Sequence, residues 1–178
     1  KSIQKHYKLE KEVLKFSDAV IVVGKKMKEK YEKFQKNIFV VTNGFDGEVT
    51  KSAKLDSKFT ITHIGLMNAD RNPRMLWEIL SEIKEENSEF SSDFQLKLIG
   101  KIDNSIKDDI LSFGLSNYVQ CVDYVSHNEV VEYQKKSQVL LLIVNNVPSS
   151  KGIITGKIFE YLMVKRPILA IAPKDGDL

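Results

Sequence analysis

The sequence predicts an α/β fold built on a parallel sheet with flanking helices. Short apolar-rich runs recur along the chain: Ala19–Val23, Ile38–Val41, Phe59–Ile64, Phe94–Ile99, Tyr118–Val122, Val139–Val144 and Pro167–Ala172. Runs of this length suit strands covered on both faces. Between most of them lie stretches of helical spacing, and strand–helix alternation argues for parallel strands. Three of the runs end at a glycine, Gly24, Gly65 and Gly100, which marks where the chain leaves the sheet.

Taken in order, residues 2–17 space Ile3, Tyr7, Val13, Leu14 and Phe16 at helical intervals, ahead of a buried strand over Ala19–Val23. Lys25 to Phe34 is a helix carrying Met27, Tyr31 and Phe34 on one stripe, and Ile38–Val41 is a strand closed by the turn Thr42-Asn-Gly44. Residues 45–57 (FDGEVTKSAKLDS) are polar and lack apolar periodicity, the pattern of a linker. This divides the chain into residues 1–44, the linker, and residues 58–178.

The second part opens with the strand Phe59–Ile64. A loop then leads to Pro73, a residue suited to the first turn of the helix that runs to about Lys84. Strand Phe94–Ile99 precedes a helix from Ser105 to Phe113, closed by Gly114. After Tyr118–Val122, Ser126-His-Asn-Glu129 forms a capping box opening a helix to about Lys136. Val139–Val144 is the most apolar strand. The last unit is a Gly/Thr turn, a helix over about Lys157–Val164 and a buried strand over Pro167–Ala172.

Composition narrows the function classes. The 178 residues are 42% apolar and 29% charged, as in an ordinary globular protein. A net charge of +3, with lysines dispersed rather than clustered, gives no footprint for nucleic acid. The single cysteine, Cys121, lies in an apolar strand-like run and excludes a disulfide framework or a cysteine metal site. His6, His63 and His127 are far apart and form no ligand spacing, so no protein-bound transition metal is expected. His63, alternating within a strand, suits a packed core position. No apolar run approaches ~18 residues. The first residue is Lys1 and the last segment a short polar tail, Lys174–Leu178, so the chain is expected to be a piece of a longer protein.

In parallel α/β sheets, ligands bind beyond the carboxyl ends of the strands, near helix N-termini. Gly65, Gly100 and the Asn145–Lys157 loop all fall at that edge. In the last helix, at ~100° per residue, Ile158, Phe159, Leu162 and Met163 share an apolar side, opposite Lys157 and Glu160. A helix start offers N–H groups and partial positive charge, so Thr155, Gly156 and Lys157 together suit a phosphate, with Glu160 accepting hydrogen bonds beside it. Spacing alone equally fits, and favours, an exposed i,i+3 ion pair. Arg71 stands in the first loop within reach of a diphosphate, or is a solvated charge; Lys101, after Gly100, has the same ambiguity. There is no G-x-G-x-x-G fingerprint, no Walker A pattern and no G-x-S-x-G elbow, and Cys121 has no evident base. These features together support a phosphate-bearing ligand at the sheet edge without naming a reaction.

Several segments, in order, resemble a known family. These are "LEKEVLKFSDAVIVVGKKMKEKYEKFQKNIFVVTNGFD" (9–46), "HIGLMNADRNPRMLWEIL" (63–80), "FQLKLIGKI" (94–102), "VDYVSHNEVVEYQKKSQVLLLI" (122–143) and "TGKIFEYLMVKRPILAIAP" (155–173). Nearly the whole chain is similar to the GT-B glycosyltransferases of the family-4 type. The resemblance implies the end of the N-terminal, acceptor-side domain up to an Asn-Gly-hydrophobic-Asp hinge, then most of the Rossmann-like C-terminal domain that binds the donor.

It further implies transfer of a sugar from a nucleotide-diphosphate donor, UDP- or GDP-linked, to a polysaccharide or glycolipid acceptor. The reaction would be retaining and need no metal, and the fragment alone would have little or no turnover. A cytoplasmic protein is implied, with peripheral membrane contact through an N-terminal portion. Glu160 falls on the signature glutamate that holds the ribose, and Arg71 on the basic position that grips the diphosphate. Gly65 begins that loop, and Thr155-Gly156 match the phosphate-facing turn. The catalytic set implied is Arg71, Lys157 and Glu160, with Gly65, Gly100, Lys101, Thr155 and Gly156 also lining the donor site.

Two positions depart from the pattern. Gly152 stands where a sugar-facing glutamate is usual, eight positions before Glu160, and Leu66 stands where a basic residue is usual after the loop glycine. Lys157 would compensate with positive charge. A GT-B epimerase remains open as an alternative, although its acid/base residues are not visible here. A non-catalytic nucleotide-sugar-binding subunit would fit the lost glutamate.

Overall fold

The computed structural model describes residues 2–45 and 53–178. Residues 46–52, in the expected linker, and with them Asp46 of the expected hinge, lie outside the described residues. The chain is α/β, and it divides into two compact units.

The first unit comprises residues 1–45, 146–156 and 173–178. It contains helix α1 (Ser2–Phe16), strand β1 (Val20–Val22), helix α2 (Lys25–Tyr31) and strand β2 (Ile38–Val40). The two strands pair in parallel, Val20 opposite Ile38. Leu14, Val22 and Ile38 are buried, but Ile21 is 70% exposed, so the apolar run 19–23 is covered on one side only. Helix α2 ends three residues before the expected Phe34. There the Phe34 N–H turns back to the Tyr31 carbonyl, a tight i→i+3 bond that ends the helical ladder. Asp177 caps α2 from far along the chain, accepting from the Lys26 N–H at 2.8 Å.

The second unit, residues 46–145 and 157–172, holds a parallel five-stranded sheet. Its strands are β3 (Phe59–Ile64), β4 (Phe94–Ile99), β5 (Val119–Val122), β6 (Val139–Ile143) and β7 (Ile168–Ile171), arranged β5-β4-β3-β6-β7. The chain thus winds outward from β3 in one direction through β4 and β5, then returns to the other side of β3 for β6 and β7. The loops after β3 and β6 diverge between adjacent strands, the switch point at which such sheets open a crevice.

Helices α3 (Arg74–Glu86), α4 (Ser88–Asp93), α5 (Asn104–Ser112), α6 (His127–Lys136) and α7 (Gly156–Met163) complete the order. Helix α4 was not expected. Its sequence, Ser-Glu-Phe-Ser-Ser-Asp, has no apolar period, and it forms because Asn87 caps it and Phe90 stacks on Phe94 at 4.6 Å. The core gathers Trp77 and Leu80 of α3, Leu96 and Leu98 of β4, Ile106 and Ile110 of α5, and Leu141 of β6. The central strand β3 is buried over Thr60–Ile64. Edge strands are less covered than expected: β7 is half-buried, and Cys121 on β5 is exposed.

Local chemistry fixes the loops that matter. The Trp77 indole N–H donates to Asn72 Oδ1 at 2.8 Å, and the Asn72 amide donates to Asp109 at 2.5 Å, so the loop carrying Arg71 is pinned to both α3 and α5. The capping box at Ser126 and Glu129 is present as the sequence indicates. At the other end of α6, the Ser137 hydroxyl donates to Thr62 Oγ1 at 2.6 Å, which ties that end to β3.

Trp77 is fully buried. Trp77→Ala should therefore cost about 3–5 kcal/mol in denaturant unfolding. A loss under about 1 kcal/mol would show that it does not anchor this core.

Candidate functional site

The sheet edge is set by two glycines in conformations that L side chains rarely adopt. Gly65, directly after β3, has φ +115°, and Gly100, directly after β4, has φ +107°. They also touch: a Cβ on Gly100 would lie 2.9 Å from the Gly65 carbonyl oxygen. The place a Cβ would take on Gly65 is filled by the Lys157 ammonium. Any side chain at Gly65 would displace that lysine.

This packing revises the expected orientation of α7. Ile158, Phe159, Leu162 and Met163 were expected to face inward, with Lys157 and Glu160 outward. In the structure Tyr161 is fully buried, Val164 is 8% exposed and Leu162 is 56% exposed. Lys157, Tyr161 and Val164 follow i, i+4, i+7 spacing, so the helix turns its lysine face toward the sheet. Glu160 is half-buried, as is Lys157. Neither belongs to an exposed surface pair.

Arg71 stands at the end of a short 3₁₀ turn, Ala69–Arg71. Its Nε donates to Asn145 Oδ1 at 2.7 Å, and Asn145 Nδ2 donates to the Asp70 carboxylate. Asn145, just beyond β6, therefore joins the two loops of the switch point. The sequence marks it only as the first residue of the edge loop that follows an apolar strand. On the other side, Gln134 Nε2 of α6 donates to Glu160 Oε2 at 3.2 Å.

His63 lies at the end of β3, 2% exposed. Its Nδ1 donates to the Leu141 carbonyl at 3.2 Å. A carbonyl can only accept, so the proton is on Nδ1 and Nε2 carries a lone pair. Burial, then the nearby Lys157 and Arg71 charges, lower its pKa from 6.5 to about 4. The expected core histidine is therefore packed as expected, but it also borders the two cations. Burial likewise lowers the Lys157 pKa, and the Arg71 charge adds to this while Glu160 opposes it. Burial and the neighbouring Arg71 charge thus both disfavour the Lys157 ammonium, a cost that an anion beside it would offset.

The other expected residues sort differently. Gly100 shares the edge through its contact with Gly65. Lys101 is exposed, with its charge felt by Asp103 beside it. Gly156 opens α7, and Thr155 precedes it, in the 146–156 segment of the first unit. Gly152 is in that unit too, against Met27. Among the described residues, no three His, Cys, Asp or Glu side chains gather into a group that could hold a metal ion. No described helix is long and apolar enough to cross a membrane.

The architecture has close counterparts among solved structures. An S. aureus TarM variant, solved in complex with Fondaparinux, alpha-GlcNAc-glycerol and UDP, matches 95% of the chain and 33% of its own with a TM-score of 0.66 at 17% identity. The pneumococcal O-GlcNAc transferase GtfA, in complex with UDP and GlcNAc, matches 91% of the chain and 32% of its own (TM-score 0.63, 13% identity). Sucrose-phosphate synthase from Thermosynechococcus elongatus matches 94% and 44% (TM-score 0.63, 16% identity). The fold is that of the GT-B glycosyltransferases. The chain spans about a third to under half the length of these GT-B structures. No family model and no curated protein matches the sequence.

Two outcomes test the electrostatics. Removing the Lys157 charge as Lys157→Met should raise the His63 pKa from about 4 while leaving it below 6.5, because burial is the larger cause. An imidazole NMR titration reads this, and no change would separate the two groups. Between pH 6.5 and about 4 the unfolded chain holds a proton on His63 that the folded chain refuses. Stability should therefore fall as pH drops through that window, by up to about 3 kcal/mol, and the slope should shrink in His63→Gln. An unchanged slope in unfolding titrations would contradict a neutral buried imidazole.

Proposed function

We propose that this chain is the donor-binding part of a glycosyltransferase that moves a sugar from a nucleotide-diphosphate sugar to a carbohydrate or lipid-linked acceptor. The observation that carries it is the juxtaposition at the switch point of Arg71 and Lys157 with Glu160 one turn along α7, at an edge lined by glycines in the GT-B fold. TarM and GtfA, which share that fold, were each solved with UDP bound.

In this reading the diphosphate of the donor sits against Arg71 and the Lys157 ammonium. Gly65 and Gly100 let the backbone approach, and Lys101 flanks the edge. Glu160 accepts hydrogen bonds from the ribose hydroxyls and so fixes the donor's orientation. When the bond between the sugar's anomeric carbon and the phosphate oxygen breaks, the electron pair leaves with the nucleoside diphosphate. The new negative charge is met by Arg71 and Lys157, in a place where burial strengthens the attraction. The cations supply charge compensation that a metal provides elsewhere, which supports a metal-independent reaction. Retention of configuration is part of the proposal and rests on the family-4 resemblance.

Titration of the intact protein with UDP and GDP tests the site. One of the two should bind, and Arg71→Ala and Lys157→Ala should each weaken it about 10- to 100-fold, as for a lost charge-assisted hydrogen bond. Glu160→Ala should weaken it about 10-fold. If neither nucleotide binds and Glu160→Ala changes nothing, the site is elsewhere. With a donor sugar, released nucleoside diphosphate supports the transferase, an epimerised sugar an isomerase, and neither a binding subunit.

A further inference from the structure

We infer that Gln134 is a positioning residue for nucleotide recognition, holding the Glu160 carboxylate in the orientation that receives the ribose. The inference rests on the donor-site reading above and concerns a residue on a different helix, 26 positions away in sequence.

Gln134 is 1% exposed, the buried residue of α6. A carboxylate only accepts hydrogen bonds, so the amide must present its NH2 to Glu160, and it does so at 3.2 Å. Its other end, Oε1, is buried with no hydrogen-bond partner among the described residues. A half-satisfied buried amide is costly relative to a well-packed apolar residue. Packing alone would favour leucine or methionine there. What the amide adds is one donor aimed at one oxygen of Glu160.

The donor is held rigidly. The capping box at Ser126 fixes the start of α6, and the Ser137 hydroxyl ties its end to Thr62 of β3 and to the Tyr133 carbonyl. Gln134 therefore transmits the position of the sheet to the carboxylate. Occupying Oε2 restricts the orientation of the Glu160 carboxylate. Without this donor the side chain would sample other rotamers, and only the ribose would sense the loss.

The experiment compares, on the intact protein, whichever of UDP and GDP binds more tightly with its 2′,3′-dideoxy form, which lacks both ribose hydroxyls. The wild type should prefer the ribonucleotide about 10-fold or more, and Glu160→Ala should abolish the preference. Gln134→Met, which keeps the volume but removes the donor, should cut the preference to about 2- or 3-fold while leaving dideoxynucleotide affinity unchanged. A merely structural role would weaken both nucleotides equally. If Gln134→Met does not fold, Gln134→Leu, which also lacks a donor, tests the same ratio. A ratio retained in the Gln134 variants but lost in Glu160→Ala overturns the inference and keeps the donor site. No preference in the wild type overturns both.

Discussion

The contact between the Lys157 ammonium and Gly65 is the constraint on which the rest of the site depends. A helix can bring a long cationic side chain flat against a strand end only where the strand end has no side chain, and Gly65 is that place. Gly100 extends the same clearance, because its own Cβ would strike the Gly65 carbonyl. Once the ammonium is seated there, it is partly withdrawn from water. Its attraction for anions rises as its hydration falls, and the nearby Arg71 charge adds to the cost of keeping it protonated. Burial first, and the nearby Lys157 and Arg71 charges second, keep His63 unprotonated, so that the strand end adds no third cation. Backbone shape thereby sets the charge of the site.

Charge alone would collapse such a cluster, since Asp70 neighbours Arg71 and Glu160 lies one turn from Lys157. Amides are interposed instead. Asn145 accepts from Arg71 and donates to Asp70, so acid and base are linked through a neutral group. Gln134 donates to Glu160 from the opposite side. An amide can hold a carboxylate in place without neutralising it. The two acids are thus oriented through neutral groups.

The fold was legible because its signals are local. The capping box, the glycines after β3 and β4, and the apolar runs of the central strands are each written within a few residues, and the structure follows them. Edge strands were misjudged for cover, since an apolar run does not reveal whether a neighbour packs on both faces, and Cys121 and Ile21 are exposed for that reason. The rotation of α7 was misread for a related cause. Its apolar residues are more numerous on one side, but Tyr161 and the room above Gly65 draw the other side inward, and that room is created by a strand 92 residues earlier (157 − 65). Asn145 and Gln134 were invisible because an amide means nothing without its partner. Those partners lie 74 and 26 positions away.

Gly152 bears on how the chemistry is distributed. It stands where the family-4 resemblance places a sugar-facing glutamate, and a structural need for glycine would make the loss of that acid incidental. No such need is evident at its Cβ: an added carbon would meet the Met27 nitrogen at 3.4 Å, an ordinary contact, with Lys26 and Met27 side-chain carbons farther off. Space therefore does not dictate glycine here. The absent carboxylate is then a difference in chemistry, and it coincides with a lysine at the start of α7 and a leucine, Leu66, where a loop cation is usual. In the proposed donor site this positive charge comes from the helix rather than from the Leu66 position of the loop, with Lys157 and Arg71 as the groups proposed to hold the diphosphate. On the proposed function Glu160 is left to recognise the ribose alone, and the orientation of that one carboxylate, held by a buried amide, then carries the recognition.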